Sequence, residues 1–171
     1  MTDPVHICFV CFANIVRSPL AEHLFLKQAQ QAGVADKYAV ASAGTADHYV
    51  GEPPDPRMRR VAARHGLNYN GRSRQFSTAD FDKYDLVLVM DLDIYHDLTL
   101  LASDSTRAGK IHLLREFDPQ GGTSASVPDP YYGFGADFED VYDIIERSSQ
   151  GLLRFLEQEK SGGVAELLAD I

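Results

Sequence analysis

An apolar run near the N-terminus, Val5 to Phe12 (V-H-I-C-F-V-C-F), constrains the fold more than any other segment. It is too short for a buried helix and lacks the polar alternation of a half-exposed strand. It therefore reads as a strand covered on both faces. Just beyond it, Leu20, Leu24, Phe25 and Ala29 recur at helical spacing between Ser18 and Ala32, and Gly33 is placed to end that helix. A doubly buried strand followed at once by a helix is the opening of a parallel α/β unit.

The rest of the chain repeats the alternation. Tyr38 to Ala43 is a second strand, closed by Gly44, and Asp47 to Pro56, with three prolines and a glycine, is loop. A basic helix runs from Pro56 to His65 and stops at Gly66. Asp85 to Met90 is a third buried strand, Asp91 can cap the helix that follows, and Lys110 to Leu114 is a short fourth strand. A loop from Asp118 to Gly135 contains four glycines and three prolines. Ala136 to Glu157 is then a long amphipathic helix with Phe138, Val141, Tyr142, Ile145, Leu152, Leu153 and Leu156 toward the core, its middle slightly weakened by Gly151. The predicted fold is α/β, a four-stranded parallel sheet flanked by helices with right-handed crossovers. The 171 residues suit one domain over 1–158, leaving 159–171 as a C-terminal tail, free or docked, with no assigned function. Ligands of such sheets bind beyond the carboxyl ends of the strands, so the chemistry belongs in the turns there.

Charge and cysteine usage narrow the function. Sixteen Lys plus Arg against 25 Asp plus Glu give a net charge of −9, which argues against a nucleic-acid partner while allowing a local anion pocket. No apolar run approaches the roughly 20 residues of a membrane span, so no membrane partner is expected. The start, Met1-Thr2-Asp3-Pro4, lacks the basic and apolar regions of a signal peptide, and two cysteines cannot form a secreted-type disulfide framework. The expected compartment is the cytoplasm. Oligomeric state is not written in the sequence; a monomer is the default. Arg57, Arg59, Arg60 and Arg64 read as a solvated helix face rather than a docking site.

The turn after the first strand reads Cys11-Phe12-Ala13-Asn14-Ile15-Val16-Arg17-Ser18-Pro19. Lying between a strand and a helix N-terminus, its backbone N–H groups can converge on an anion, making it a phosphate-binding loop. Such a concavity favours the thiolate form of a cysteine set in it. Arg17 can return to the rim and grip two phosphoryl oxygens through its planar fork, and Ser18 can donate its hydroxyl to the sulfur. Those are the elements of nucleophilic attack on phosphorus. The late loop Asp129-Pro130-Tyr131-Tyr132-Gly133 supplies what ester cleavage still lacks. A protonated Asp129 could serve the leaving oxygen and, as carboxylate, then activate water. Tyr131 and Tyr132 offer aromatic walls for a substrate ring.

Taken together, Cys-x5-Arg-Ser-Pro, Ser42-Ala43-Gly44-Thr45, Arg74-Gln75, Val89-Met90-Asp91 and Asp129-Pro130-Tyr131-Tyr132-Gly133 resemble the low-molecular-weight protein tyrosine phosphatases, in order and spacing, over residues 5 to 157. The resemblance implies hydrolysis of phosphotyrosine proteins and aryl phosphates with no metal or other cofactor. Cys11 would be the nucleophile that forms a phosphocysteine. Arg17 and the backbone of Phe12, Ala13, Asn14, Ile15, Val16, Arg17 and Ser18 would bind phosphate, and Asp129 would be acid, then base. Asn14, held by Ser18 and Ser42, would brace the loop, and Phe12, Tyr49, Tyr131 and Tyr132 would line the cleft. Asp91 matches a family aspartate with a structural role. Three positions depart from the pattern. Ala13 stands where the family has Gly and would be strained if that position needs positive φ. Val16 replaces a second cysteine that can protect the nucleophile as a disulfide, so oxidation by peroxide should be less reversible here than in relatives. Gly71 stands where a bracing His is common.

Three other readings compete. Cys8-x2-Cys11 suggests a redox or zinc pair, but on one extended strand the two side chains point to opposite faces, too far apart for a disulfide. No second pair completes a zinc site, and the six histidines are scattered. Thiol-dependent arsenate reduction on the same scaffold needs further cysteines, and none follows Cys11. A non-catalytic phosphopeptide- or anion-binding module would keep Arg17 and the loop but have no use for Cys11 or Asp129.

Overall fold

The computed structural model describes residues 2–122, 125–133 and 135–158. The tail assigned to 159–171 lies outside the described residues. Four strands, β1 (Val5–Cys11), β2 (Tyr38–Gly44), β3 (Leu86–Val89) and β4 (Ile111–Leu113), form one parallel sheet in the order β2-β1-β3-β4. The predicted four-stranded parallel sheet flanked by helices is what forms. Six helices accompany it among the described residues: α1 (Arg17–Gln31), α2 (Pro56–Arg64), α3 (Asp80–Lys83), α4 (Leu92–Ala102), α5 (Ser105–Ala108) and α6 (Gly135–Gln158). The one-turn helices α3 and α5 were not anticipated, because a single turn carries no periodicity; Asp104 caps the second through the Arg107 amide at 2.8 Å.

The alternation along β1 explains the layers. Ile7, Phe9 and Cys11 face one apolar cluster with α1, α2 and α6, while Cys8 and Val10 face the other with α3 and α4. All seven residues predicted for the buried side of α6 are buried. A fully buried side chain such as Leu20 or Phe25 contributes roughly 1.5–3 kcal/mol to the folded state. Since β1 pairs with β2 on one side and β3 on the other, the chain reverses its direction of travel across the sheet at β1. The crevice at such a reversal opens at the carboxyl end of the central strand, where Cys11 stands.

Two glycines are required by close approach. A Cβ on Gly44 would lie 2.7 Å from the Phe12 carbonyl oxygen and 3.0 Å from the Asn14 nitrogen, so the end of β2 must be bare for the first turn to fold against it. A Cβ on Gly151 would collide with the Phe117 carbonyl. The weak point expected in α6 is thus a contact surface, where the helix lies directly on the 3-10 turn Leu114–Phe117 that begins the late loop.

Candidate active site

The turn from Cys11 to Ser18 is fixed from outside. The carbonyls of Cys11, Phe12 and Ile15 accept from the amides of Thr45, Ala46 and Asp55 at 2.8–3.0 Å, and that of Ala13 accepts from Ser73 Oγ at 2.8 Å. In a trans peptide the N–H points opposite to the C=O, so the amides of Phe12, Ala13, Asn14 and Val16 are turned inward. One of them, the Asn14 amide, donates to Cys11 Sγ at 3.3 Å. Helix α1 starts at Arg17 with Val16 as its N-cap, no side-chain cap bond and no acidic residue in the first turn. Its free amides and positive dipole end therefore add to the same cradle.

Asn14 is the left-handed residue of the turn, with φ 56°, and Ala13 is not. The condition for strain at Ala13 is therefore not met, and the left-handed position is taken by asparagine, whose short polar side chain tolerates that region. Asn14 Nδ2 donates to Ser18 Oγ at 2.8 Å and to Ser42 Oγ at 3.0 Å, while its Oδ1 accepts from the Arg74 amide at 3.0 Å. Ser42 Oγ donates to Glu22 at 2.7 Å, which orients the chain of bonds. Ser18 Oγ, accepting from Asn14, keeps one proton for two acceptors: Cys11 Sγ at 3.0 Å and the Ala43 carbonyl at 3.3 Å. Gly71, at the place of the missing His, has no neighbour within 4 Å of a hypothetical Cβ, and Ser73 and Arg74 brace the loop instead.

Arg17 is buried. Its Nη1 donates to Asp91 at 2.7 Å and to the Val127 carbonyl at 2.9 Å, while Nη2 lies 3.5 Å from Asp129. Burial works against its charge, but Cys11, Asp129 and Asp91 together raise its pKa above the ordinary arginine value. Asp91 also caps α4, accepting from the Ile94 amide at 2.9 Å, so one carboxylate fixes both a helix start and the guanidinium. The sequence suggested the cap; the Arg17 contact spans 74 residues and has no local signal.

Asp129 faces this cradle from the late loop, its Oδ1 accepting from the Tyr131 amide at 3.0 Å. One cleft is lined by Cys11, Phe12, Ala13, Ile15, Val16, Arg17, Tyr49, Asp129, Tyr131 and Tyr132. Every predicted catalytic and wall residue therefore meets there, and Asn14, Ser18 and Ser42 support it from behind. Tyr49 and Tyr131 meet edge to face with ring centres 6.3 Å apart, and Tyr131 acts to raise the Tyr49 hydroxyl pKa. Cys8 is on the opposite face of β1, and burial pushes its thiol up to about 12, so it forms no redox pair with Cys11. Among the described residues no cluster of His, Cys, Asp and Glu could hold a metal ion, and no helix is long and apolar enough to cross a membrane.

Sequence reasoning missed Arg57. Far from belonging to a merely solvated face, it reaches the late loop, donating to the Tyr131 carbonyl at 2.9 Å. Arg64 pairs with Glu139 across α2 and α6.

The sheet reversal and the anion cradle at its carboxyl edge define a phosphate-handling α/β protein. Comparison with known proteins narrows that class: residues 6–162 match the family described as low molecular weight phosphotyrosine protein phosphatase, and the chain belongs to it. It is 39% identical over 160 residues to a low molecular weight protein-tyrosine-phosphatase of Streptomyces coelicolor, covering 93% of this chain and 98% of that one. It is 36% identical over 148 residues to the human low molecular weight phosphotyrosine protein phosphatase, covering 86% and 92%. Among solved structures, a protein tyrosine phosphatase from Entamoeba histolytica with Hepes in its active site superposes with a TM-score of 0.86 at 34% identity, covering 92% of this chain and 99% of that one.

Proposed function

We propose that this protein hydrolyses phosphotyrosine in proteins, and small aryl phosphates, through a phosphocysteine on Cys11. The observation that carries the reading is the surroundings of one sulfur: Ser18 Oγ at 3.0 Å, the Asn14 amide at 3.3 Å, and Arg17 and Asp129 in the same cleft. The Asn14 amide donates to the sulfur, and a thiolate there would also draw the Ser18 proton from the Ala43 carbonyl, so both contacts favour the ionised form. That thiolate attacks phosphorus, the P–O bond to the leaving group breaks, and Asp129 gives its proton to the departing oxygen. Water then attacks the phosphocysteine and loses its proton to the Asp129 carboxylate. The P–S bond breaks, and inorganic phosphate and the thiolate are released.

Arg17 and the inward amides balance the charge on the transferring group, so the reaction as written requires no metal. Phe12, Tyr49, Tyr131 and Tyr132 would flank an aromatic leaving group, whereas the shorter phosphoserine would leave those walls unfilled. The family and its named relatives are tyrosine phosphatases, which does not favour arsenate reduction. Hydrolysis of p-nitrophenyl phosphate in the presence of a chelator tests the reading. Cys11→Ser is expected to reduce it to background, and wild-type turnover in that variant would refute the role of Cys11.

A further inference from the structure

Arg57 joins the two halves of the site. Its Nε and Nη2 grip both carboxylate oxygens of Asp55 at 3.1 and 2.8 Å, and its Nη1 donates to the Tyr131 carbonyl at 2.9 Å. The guanidinium carbon also lies 5.2 Å from the centre of the Tyr131 ring and 4.7 Å from that of Phe138, so an aromatic of the late loop and one of α6 both contact it. Asp55 is immobilised in turn. Its side chain accepts from the Arg57 amide at 2.8 Å as the cap of α2, and its own amide donates to the Ile15 carbonyl of the phosphate loop at 2.8 Å. Tyr131 completes the path, because its amide holds Asp129 Oδ1 while its carbonyl is held by Arg57. The Asp55 bond raises the Arg57 pKa, and although burial opposes it, hydrogen bonds from Arg57 keep the Asp55 carboxyl below its ordinary value. Each partner thus favours the charged form of the other.

We propose that Arg57 is a positioning residue for the general acid: clamped by Asp55, it fixes the Tyr131 peptide and thereby sets where Asp129 stands relative to the phosphate loop. The proposal rests on the reading of Asp129 as proton donor. It follows that Arg57 acts on the leaving group and not on phosphate binding. A planar fork can hold Asp55 and the Tyr131 carbonyl together; the single ammonium of lysine cannot reproduce that geometry.

The test compares kcat/KM for phenyl phosphate, a poor leaving group, with that for p-nitrophenyl phosphate, an activated one. Their ratio does not depend on the fraction of folded enzyme. Arg57→Gln and Arg57→Lys should each lower the phenyl-to-nitrophenyl ratio about tenfold, a loss in keeping with a misplaced proton donor. In an Asp129→Ala background, adding Arg57→Gln should leave the ratio unchanged. A ratio that Asp129→Ala lowers but Arg57→Gln does not would overturn the tether alone, as would an equal further fall in the Asp129→Ala background. A ratio unmoved by Asp129→Ala would overturn the acid assignment and the tether with it.

Discussion

The phosphate loop and the acid loop face each other across one cleft but are held in different ways. Cys11, Asn14, Arg17 and Ser18 are each no more than 4% exposed, whereas the Asp129 side chain is 42% exposed and Tyr132 92%. Loop carbonyls, the Asn14 side chain and the Ser42–Glu22 pair all constrain the first loop. The second is firmly rooted, with Asp118 buried between Arg115 and Arg147. Its tip hangs on Arg57 and Arg17. The difference fits the work proposed for each side. Groups that stabilise a transferring phosphoryl must be fixed before the substrate arrives, because reorienting them during reaction costs activation energy. An acid that must admit a protein-borne leaving group needs a rim that substrate can enter.

The largest test of this division is Asp129→Ala, expected to lower kcat/KM on phenyl phosphate by roughly 10²–10⁴-fold and to affect p-nitrophenyl phosphate far less. Equal losses on both would mean the two loops do not act separately. Asn14→Ala should produce the complementary pattern. It removes the bonds to Ser18 and Ser42 and puts alanine in the left-handed region, costs of about 1–3 and 1–2 kcal/mol. The expected fall is on the order of ten- to a hundredfold, the same for both substrates. A leaving-group-dependent loss would contradict the assignment of Asn14 to the phosphate side.

The root of the acid loop can be probed by stability. Gly151→Ala drives a methyl into the Phe117 carbonyl and should destabilise the protein by about 1–3 kcal/mol in urea unfolding, although alanine is the better helix former. A stabilised variant would show that α6 does not press on the root of the loop. The smallest effect concerns pH. Burial acts to raise the Asp118 pKa, but Arg147, the Gln120 amide and Arg115 outweigh it and hold the carboxyl below its ordinary value. A depressed folded-state pKa gives stability that is present above the ordinary carboxylate range and is lost as pH falls through the folded value. The gap in unfolding free energy between wild type and Asp118→Asn should therefore narrow from about pH 7 to about pH 3. A constant gap would contradict it.

What the sequence made legible was local. The strand, the turn after Cys11 and the start of α1 are contiguous, so the spacing of Cys11, Arg17 and Ser18 carried the phosphate loop directly. The same locality explains the misses. Asp91 on Arg17 and Arg57 on Tyr131 each span 74 residues, and neither aspartate capping nor an arginine in a basic helix announces such a partner. Which residue of the turn takes positive φ was not legible for another reason. A turn of known residues does not say which of them takes positive φ, and here the asparagine does both that and the bracing. Gly151 looked like a helix defect because its collision partner, Phe117, belongs to a different element.

The central claim, transfer of a phosphoryl group to Cys11, is open to direct observation. Asp129→Ala should slow hydrolysis of the intermediate, so acid-quenching that variant during turnover of p-nitrophenyl phosphate and mapping the peptides by mass spectrometry should find one phosphoryl group on Cys11 and none on Cys8. Turnover with an unmodified Cys11, or with the label on any other side chain, would contradict the account.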